Sequence, residues 1–138
     1  MRAVTSLMRV HQLVLTELDE LLRPLGLTFA RYEVLVLLSF SRRGALPLGK
    51  IGERLQVHAT SVTPLVKRLE AADLIQRAPH PEDGRAVLAS ITPKGRTVMD
   101  QATDAIVSAR FALGALTEAD CDQLTGLLSG PRQAAGDF

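Results

Sequence analysis

The sequence predicts a mainly α-helical fold carrying one small β-hairpin, and three observations lead there. Apolar residues recur at helical spacing along most of the chain. Two short apolar-centred runs, residues 74–78 and 86–91, flank the breaker-dense stretch from Pro79 to Gly84, which reads as a hairpin. Just before it, two helical patterns are separated only by Gln56, Val57 and His58.

Taken in order, Leu7, Val10, Val14, Leu18, Leu21 and Leu22 stripe a helix over about residues 5–23. Pro24 and Gly26 end it. Thr28 is a suitable N-cap for a second helix, with Tyr32, Leu35, Val36 and Leu38 as buried positions. The stretch from Ser39 to Gly44 breaks that pattern. Leu46, Pro47 and Leu48 lead into a short helix over residues 48–55, striped by Leu48, Ile51 and Leu55. The next helix runs over residues 59–71 on Val62, Leu65, Val66 and Leu69. After the hairpin, Thr92 and Pro93 supply an N-cap and a first-turn proline, and the helix they start extends to about Leu113. Thr117, with Asp120 three residues on, is close to a capping box. Leu124, Leu127 and Leu128 form part of the last helix's apolar side. Gly130 and Pro131 are expected to stop it, leaving residues 132–138 as a loose tail.

The chain has 138 residues, which fits one compact domain spanning 1–138. At 46% hydrophobic residues a core is available, so disorder is not the expected state. Aromatics are 4% with no Trp, which argues against surfaces that stack bases on rings. Cys121 is the single cysteine, so an internal disulfide and a cysteine-rich metal site are both excluded. No apolar run approaches membrane-spanning length, and the N-terminus lacks a signal-peptide pattern; the expected location is cytoplasmic. The formal net charge of +1 hides an asymmetry. Between Arg42 and Arg96 there are ten Lys/Arg and five Asp/Glu; the remainder holds six and ten. A basic middle sits between acidic ends.

That middle, residues 28–91, has the order of a winged helix-turn-helix. Its second helix would enter the DNA major groove. The exposed positions there are Ala59, Thr60, Ser61, Thr63 and Pro64, small enough for close approach to base edges. Lys67 and Arg68 follow and suit phosphate contact. Composition alone leaves a plainer reading open, in which Thr60 and Ser61 only satisfy helix-start amides and the two cations only solvate a helix. Pro64 lies past the first turn, leaves the Thr60 carbonyl without its helical donor and can bend the helix. At the hairpin tip, Arg85 suits a minor groove, Asp83 could orient it by a charge-assisted bond, and His80 is close enough to meet a phosphate. An ordinary polar turn is the competing reading.

These residues together resemble the multiple-antibiotic-resistance regulator (MarR) family of bacterial transcription factors. The resemblance is carried by residues 48–55, 60–70, 73–77, 81–85 and 88–95, with Leu27, Thr28, Tyr32, Val34 and Leu35 ahead of them. It implies a homodimer whose terminal helices, residues 5–23 and 93–129, form the interface, while two winged lobes read a pseudo-palindrome on double-stranded DNA. It places Thr60, Ser61, Thr63, Pro64 and Lys67 in the recognition helix, and Asp83 and Arg85 in the wing motif. Many members carry a further arginine between those two, where this chain has Gly84. The recognition helix is most similar to the organic-hydroperoxide-sensing branch, but the first helix here lacks that branch's reactive cysteine. Cys121 is read as a small packing residue. Many members bind a small apolar or phenolic effector; the candidate lining here is His11, Leu15, Phe29, Tyr32 and Phe111.

The resulting expectation is a ligand-responsive repressor without cofactor, metal or membrane partner. An enzyme is disfavoured, because His11, His58 and His80 fall in different elements and no glycine-rich phosphate loop follows a strand. The third reading is a winged domain that binds another protein; the small-residue face of the helix argues against it.

Overall fold

The structure, a computed structural model, describes residues 1–137. Six helices and three strands follow one another: α1 (Arg2–Leu22), α2 (Phe29–Phe40), β1 (Ala45–Pro47), α3 (Leu48–Leu55), α4 (Ala59–Ala71), β2 (Ile75–Pro79), β3 (Val87–Ile91), α5 (Pro93–Ser108) and α6 (Glu118–Ala134). The mainly helical reading holds, and the small sheet has one strand more than the hairpin predicts. It is antiparallel, in the order β1-β3-β2. Leu46 lies opposite Ala89, and Ala89 lies opposite Arg77 on the other side. β1 escapes a sequence reading because it is three residues long and exists only by pairing with a strand some forty positions away. Pro47, which has no N–H to donate, is tolerated because β1 is an edge strand.

Four of the six α-helix starts have a side-chain acceptor at the N-cap, at Thr28, His58, Thr92 and Thr117. Thr28 Oγ1 takes the Arg31 amide, and Asp19 on α1 takes the Phe29 amide at 2.7 Å, so α1 and α2 are tied at the α2 N-terminus. Thr92 Oγ1 accepts from the Gly95 amide at 2.9 Å and donates to the Asp73 carbonyl at 2.8 Å. The Thr117–Asp120 pair is a complete capping box. Its hydroxyl and amide bonds hold the Asp120 carboxyl below its ordinary value.

One core joins these parts. Leu18 and Leu22 of α1 meet Val34, Leu35 and Leu38 of α2, and Ile51, Val62, Val66 and Leu69 complete it beneath the helix pair α3–α4. Leu74, Ile75 and Ala89 extend it under the sheet, and Met99, Ala102 and Ile106 of α5 close it. Val36, expected inside, is only half-buried; Val34 takes the fully buried position. Gly95 sits where α5 crosses the turn after α4. A Cβ there would fall inside contact distance of the Leu74 carbonyl oxygen.

Two boundaries differ from expectation. α5 ends at Ser108, not near Leu113, because Arg110, Phe111 and Ala112 all take left-handed φ angles of 50°, 53° and 57°. A right-handed helix cannot continue through them. At the other end, Pro131 lies inside α6, which runs on to Ala134. A proline removes one backbone donor, and the carbonyl that loses it belongs to Leu127, a residue 76% exposed. Residues 132–134 are thus helical, and Arg132 pairs with Asp137 at 2.6 Å; Phe138 lies outside the described residues. α6 has no fully buried residue: Leu124 and Leu128 are partly buried and Leu127 is exposed.

Gly95→Ala is expected to cost about 1–3 kcal/mol or more, through overpacking against backbone that cannot give. Gly49→Ala, where a Cβ meets nothing within 4 Å, is expected to be neutral or stabilising by up to about 1 kcal/mol. Urea midpoints of the two variants check both; equal midpoints would show that the Gly95 crossing yields.

Candidate nucleic-acid interface

The helix pair is built around a close approach. Gly52 of α3 is buried, and a Cβ there would lie 3.2 Å from Val62 Cγ2 and 3.3 Å from the Val57 carbonyl oxygen. Gln56 turns the chain by taking a left-handed φ of 52°. With Val62, Val66 and Leu69 held inward, the opposite face of α4 must point out. Thr60, Ser61, Thr63, Pro64, Lys67 and Arg68 are all exposed on it, as the sequence predicts; the Ala59 side chain lies outside the described residues.

Local chemistry refines that face. The α4 N-cap is His58, whose Nδ1 accepts the Thr60 amide at 3.3 Å and lies 2.9 Å from Thr60 Oγ1. Thr60 is therefore engaged at the helix start. The hydroxyl bonds the cap's ring nitrogen rather than a helix-start amide, and the cap itself was missed, because His is not among the favoured capping residues. Ser61, Thr63, Lys67 and Arg68 have no side-chain partner among the described residues. Two hydroxyls and two cations thus stand free on one exposed face. Pro64 leaves α4 a single helix over Ala59–Ala71.

The wing is held to α4 by a pair the sequence did not announce. Arg77 on β2 donates through Nε to Glu70 Oε2 at 2.8 Å, and Nη2 reaches the same oxygen. The hydrogen bond from Arg77 holds the Glu70 carboxyl below its ordinary value. The signal for it, Glu70 and Arg77 seven residues apart, becomes readable only once the helix is known to turn into β2. At the tip, Asp83 Oδ1 accepts the backbone amide of Arg85 at 3.0 Å. The expected bond to the Arg85 guanidinium is not the one formed: an aspartate two residues back closes an Asx-turn more readily than it reaches the side chain. The Arg85 head group has no partner among the described residues and is exposed. His80 is half-buried at the wing base, its Nδ1 accepting the Glu82 amide at 3.2 Å.

The candidate effector residues are spread over several elements. Tyr32 is buried, with its hydroxyl 3.0 Å from Thr103 Oγ1, and its ring centroid lies 6.0 Å from that of Phe29. Leu15 is half-buried and His11 exposed, one turn apart on α1. Phe111 instead lines a shallow hollow at the α5–α6 elbow with Arg110, Leu113, Glu118, Cys121 and Asp122. Cys121 is half-buried there.

A short helix, a left-handed turn, a second helix with a free polar face and a three-stranded wing define a winged helix-turn-helix protein. Comparison with known proteins agrees. The profile of the MarR family matches residues 27–87. The HTH-type transcriptional repressor MdtR of Bacillus subtilis is 31% identical over 94% of this chain and 83% of its own length. The organic hydroperoxide resistance transcriptional regulator of the same bacterium is 37% identical over 61% of this chain, a match spanning only 56% of that relative. Among solved structures, Sco5413, a MarR family transcriptional regulator from Streptomyces coelicolor, superposes with a TM-score of 0.95 at 50% identity, covering 100% of this chain and 96% of that one. Sco3205, a MarR family regulator of the same organism in complex with DNA, shares the fold at 22% identity, with a TM-score of 0.86 over 96% of this chain and 88% of its own.

The chain belongs to the MarR family of transcriptional regulators. These relatives are named as regulators rather than enzymes. Among the described residues no helix is long and apolar enough to cross a membrane.

The Glu70–Arg77 pair sets a pH test. A carboxyl depressed by folding stabilises fully above its ordinary range and loses that contribution as pH falls through the depressed value. Glu70→Gln is expected to lower the urea midpoint at neutral pH, with the gap from wild type narrowing at acid pH as the depressed carboxyl protonates. A gap unchanged between the two pH values would show that the ion pair adds nothing.

Proposed function

We propose that this chain is a sequence-specific regulator that binds double-stranded DNA as a homodimer. In this reading it represses from a pseudo-palindromic operator and responds to a small effector. One observation carries the DNA reading: the exposed face of α4 presents Ser61, Thr63, Lys67 and Arg68 without protein partners, beside a wing that ends in an equally free Arg85. Hydroxyls and methyls of that size suit base edges, and the cations suit phosphates. The DNA complex of Sco3205 supports the same use of the fold. MdtR, a named repressor, supports the direction of control.

The homodimer is supported by apolar surface outside the core. Val4, Leu7, Met8, Val10 and Leu13 of α1 are exposed, as are Val107, Phe111 and Leu127. α6 buries none of its residues within its own chain. A second copy is the simplest cover for both, and its two-fold axis would pair two winged lobes. The effector part rests on the Phe29–Tyr32 pair at the α1–α2 crossing, with His11, Leu15 and Phe111 as outer members.

Footprinting on the DNA upstream of the chain's own gene tests the reading. Two protected half-sites about 10 base pairs apart, centre to centre, are expected. Absence of protection at low salt, with folded protein, would overturn it. Arg85→Ala is expected to weaken operator binding by about 10- to 100-fold with the fold intact, and Thr63→Ala to change the ranking of operator variants rather than nonspecific affinity. Equal losses for Thr63→Ala on every sequence would reduce it to a backbone contact. Leu13→Glu on the exposed α1 face is expected to convert the dimer to monomer in sedimentation; an unchanged dimer would move the interface elsewhere.

A further inference from the structure

α4 begins on a different chemistry from the threonine-capped helices. Its cap is an exposed imidazole, open to protons from water. His58 Nδ1 accepts the Thr60 amide at 3.3 Å and lies 2.9 Å from Thr60 Oγ1. The His58 carbonyl takes the next amide, that of Ser61, at 2.8 Å. A ring nitrogen that accepts an N–H carries no proton of its own, so the capping ring is the neutral tautomer with its hydrogen on Nε2. With Nδ1 as acceptor, Thr60 Oγ1 must be the donor, and its one hydrogen is committed to the ring. Only the oxygen lone pairs of Thr60, itself exposed, remain for an outside partner.

A proton added at Nδ1 reverses both contacts. The Thr60 amide then faces an N–H and loses its acceptor. Nδ1–H donates to Thr60 Oγ1 instead, and the hydroxyl hydrogen is released outward. A positive ring also lies at the helix end that already carries partial positive charge. Little offsets it, because the first turn of α4 has no acidic residue. On the elements packed around the turn, Glu53 of α3 is paired with Lys50, and Glu70 of α4 with Arg77. Glu33 of α2 is half-buried, and burial holds its carboxyl above its ordinary value. Arg54 of α3 and Lys67 and Arg68 of α4 are cations.

We propose that His58 is a positioning residue that couples the exposed face of α4 to protonation. Its neutral ring caps the helix and sets Thr60 as a hydrogen-bond acceptor; its protonated ring frees the Thr60 amide and sets Thr60 as a donor. The functional consequence rests on the DNA reading and is one of specificity. An acceptor at Thr60 suits the amino groups of adenine or cytosine in the major groove, and a donor suits the oxygens of guanine or thymine. Acid therefore erodes discrimination between sequences, while the charge-driven part of binding gains from the added positive charge.

NMR of the full chain, titrated from about pH 8 to about pH 5, where imidazoles change charge, tests the cap without DNA. At the upper pH the ring nitrogens are expected to report a proton on Nε2. The Thr60 amide resonance is expected to move together with the His58 ring. In His58→Asn, whose side-chain oxygen caps without titrating, that amide is expected to stay in place. A proton on Nδ1 at the upper pH, or a Thr60 amide that ignores the ring, would overturn the proposal. The second arm measures affinity for the duplex protected in the footprint and for a scrambled duplex of the same composition. Their ratio is expected to fall about tenfold on acidification of wild type, as one reversed base contact implies, and to hold in His58→Asn. His58→Ala, capless at any pH, is expected to start from the lower ratio. Equal falls in wild type and His58→Asn would assign the response to other groups, Glu33 and His80 among them, and sink the specificity claim. Failure to bind any duplex at either pH would remove the DNA reading and its consequence here, while the NMR result still decides the cap.

Discussion

The close approach of Gly52 to Val62 is the constraint on which the exposed face of α4 depends. A Cβ at position 52 would begin 3.2 Å from Val62 Cγ2 and 3.3 Å from the Val57 carbonyl oxygen, closer than ordinary van der Waals contact, so α3 and α4 would have to give by a few tenths of an ångström. With the crossing closed, Val62, Val66 and Leu69 share one buried row, and the alternate row on α4 has nowhere to go but outward. The Arg77–Glu70 pair then fixes the strand that follows α4 to the helix itself. Gly95 lets α5 cross the same turn without a side chain in the way. A chain of tight backbone approaches, rather than a large apolar surplus, thus sets the angle between helix and wing.

Much of this was legible because it is local. The bounds of α3 and α4, the three threonine caps and the capping box are decided by periodicity and by residues within four positions of one another. What escaped is either long-range or chemically atypical. β1 needs Leu88, Ala89 and Ser90 to exist as a strand. His58 caps with a ring nitrogen, where hydroxyls and carboxylates are the usual signal. The left-handed run at Arg110–Ala112 follows an apolar sequence with no breaker until Gly114, so nothing in it marks the helix end. Pro131 is the converse case: a breaker by type, it lies inside α6 where Leu127, the residue that loses its donor, is exposed. At the candidate site, the exposed positions of α4 followed from its apolar stripe. The Asp83–Arg85 geometry did not, because turn backbone and side chain compete for one carboxylate.

The division of charge and of apolar exposure runs along the same boundary. The basic segment coincides with the elements from β1 to the start of α5, and the large exposed apolar residues gather mainly on α1 and beyond residue 106. One polypeptide therefore carries a polar working lobe and an adhesive frame with few residues serving both. Phe40, just ahead of that segment, and Val57 and Val87 within it are the exceptions.

The elbow at Arg110, Phe111 and Ala112 has a mechanical meaning. Each non-glycine residue in left-handed conformation gives up about 1–2 kcal/mol. Three in succession, none of them glycine, concentrate that cost at the joint between the lobe and its last helix. Glycines there would relieve the strain but would also free the direction in which α6 departs. The elbow trades stability for aim: within one chain, where α6 fully buries none of its residues, backbone handedness sets the direction in which it leaves.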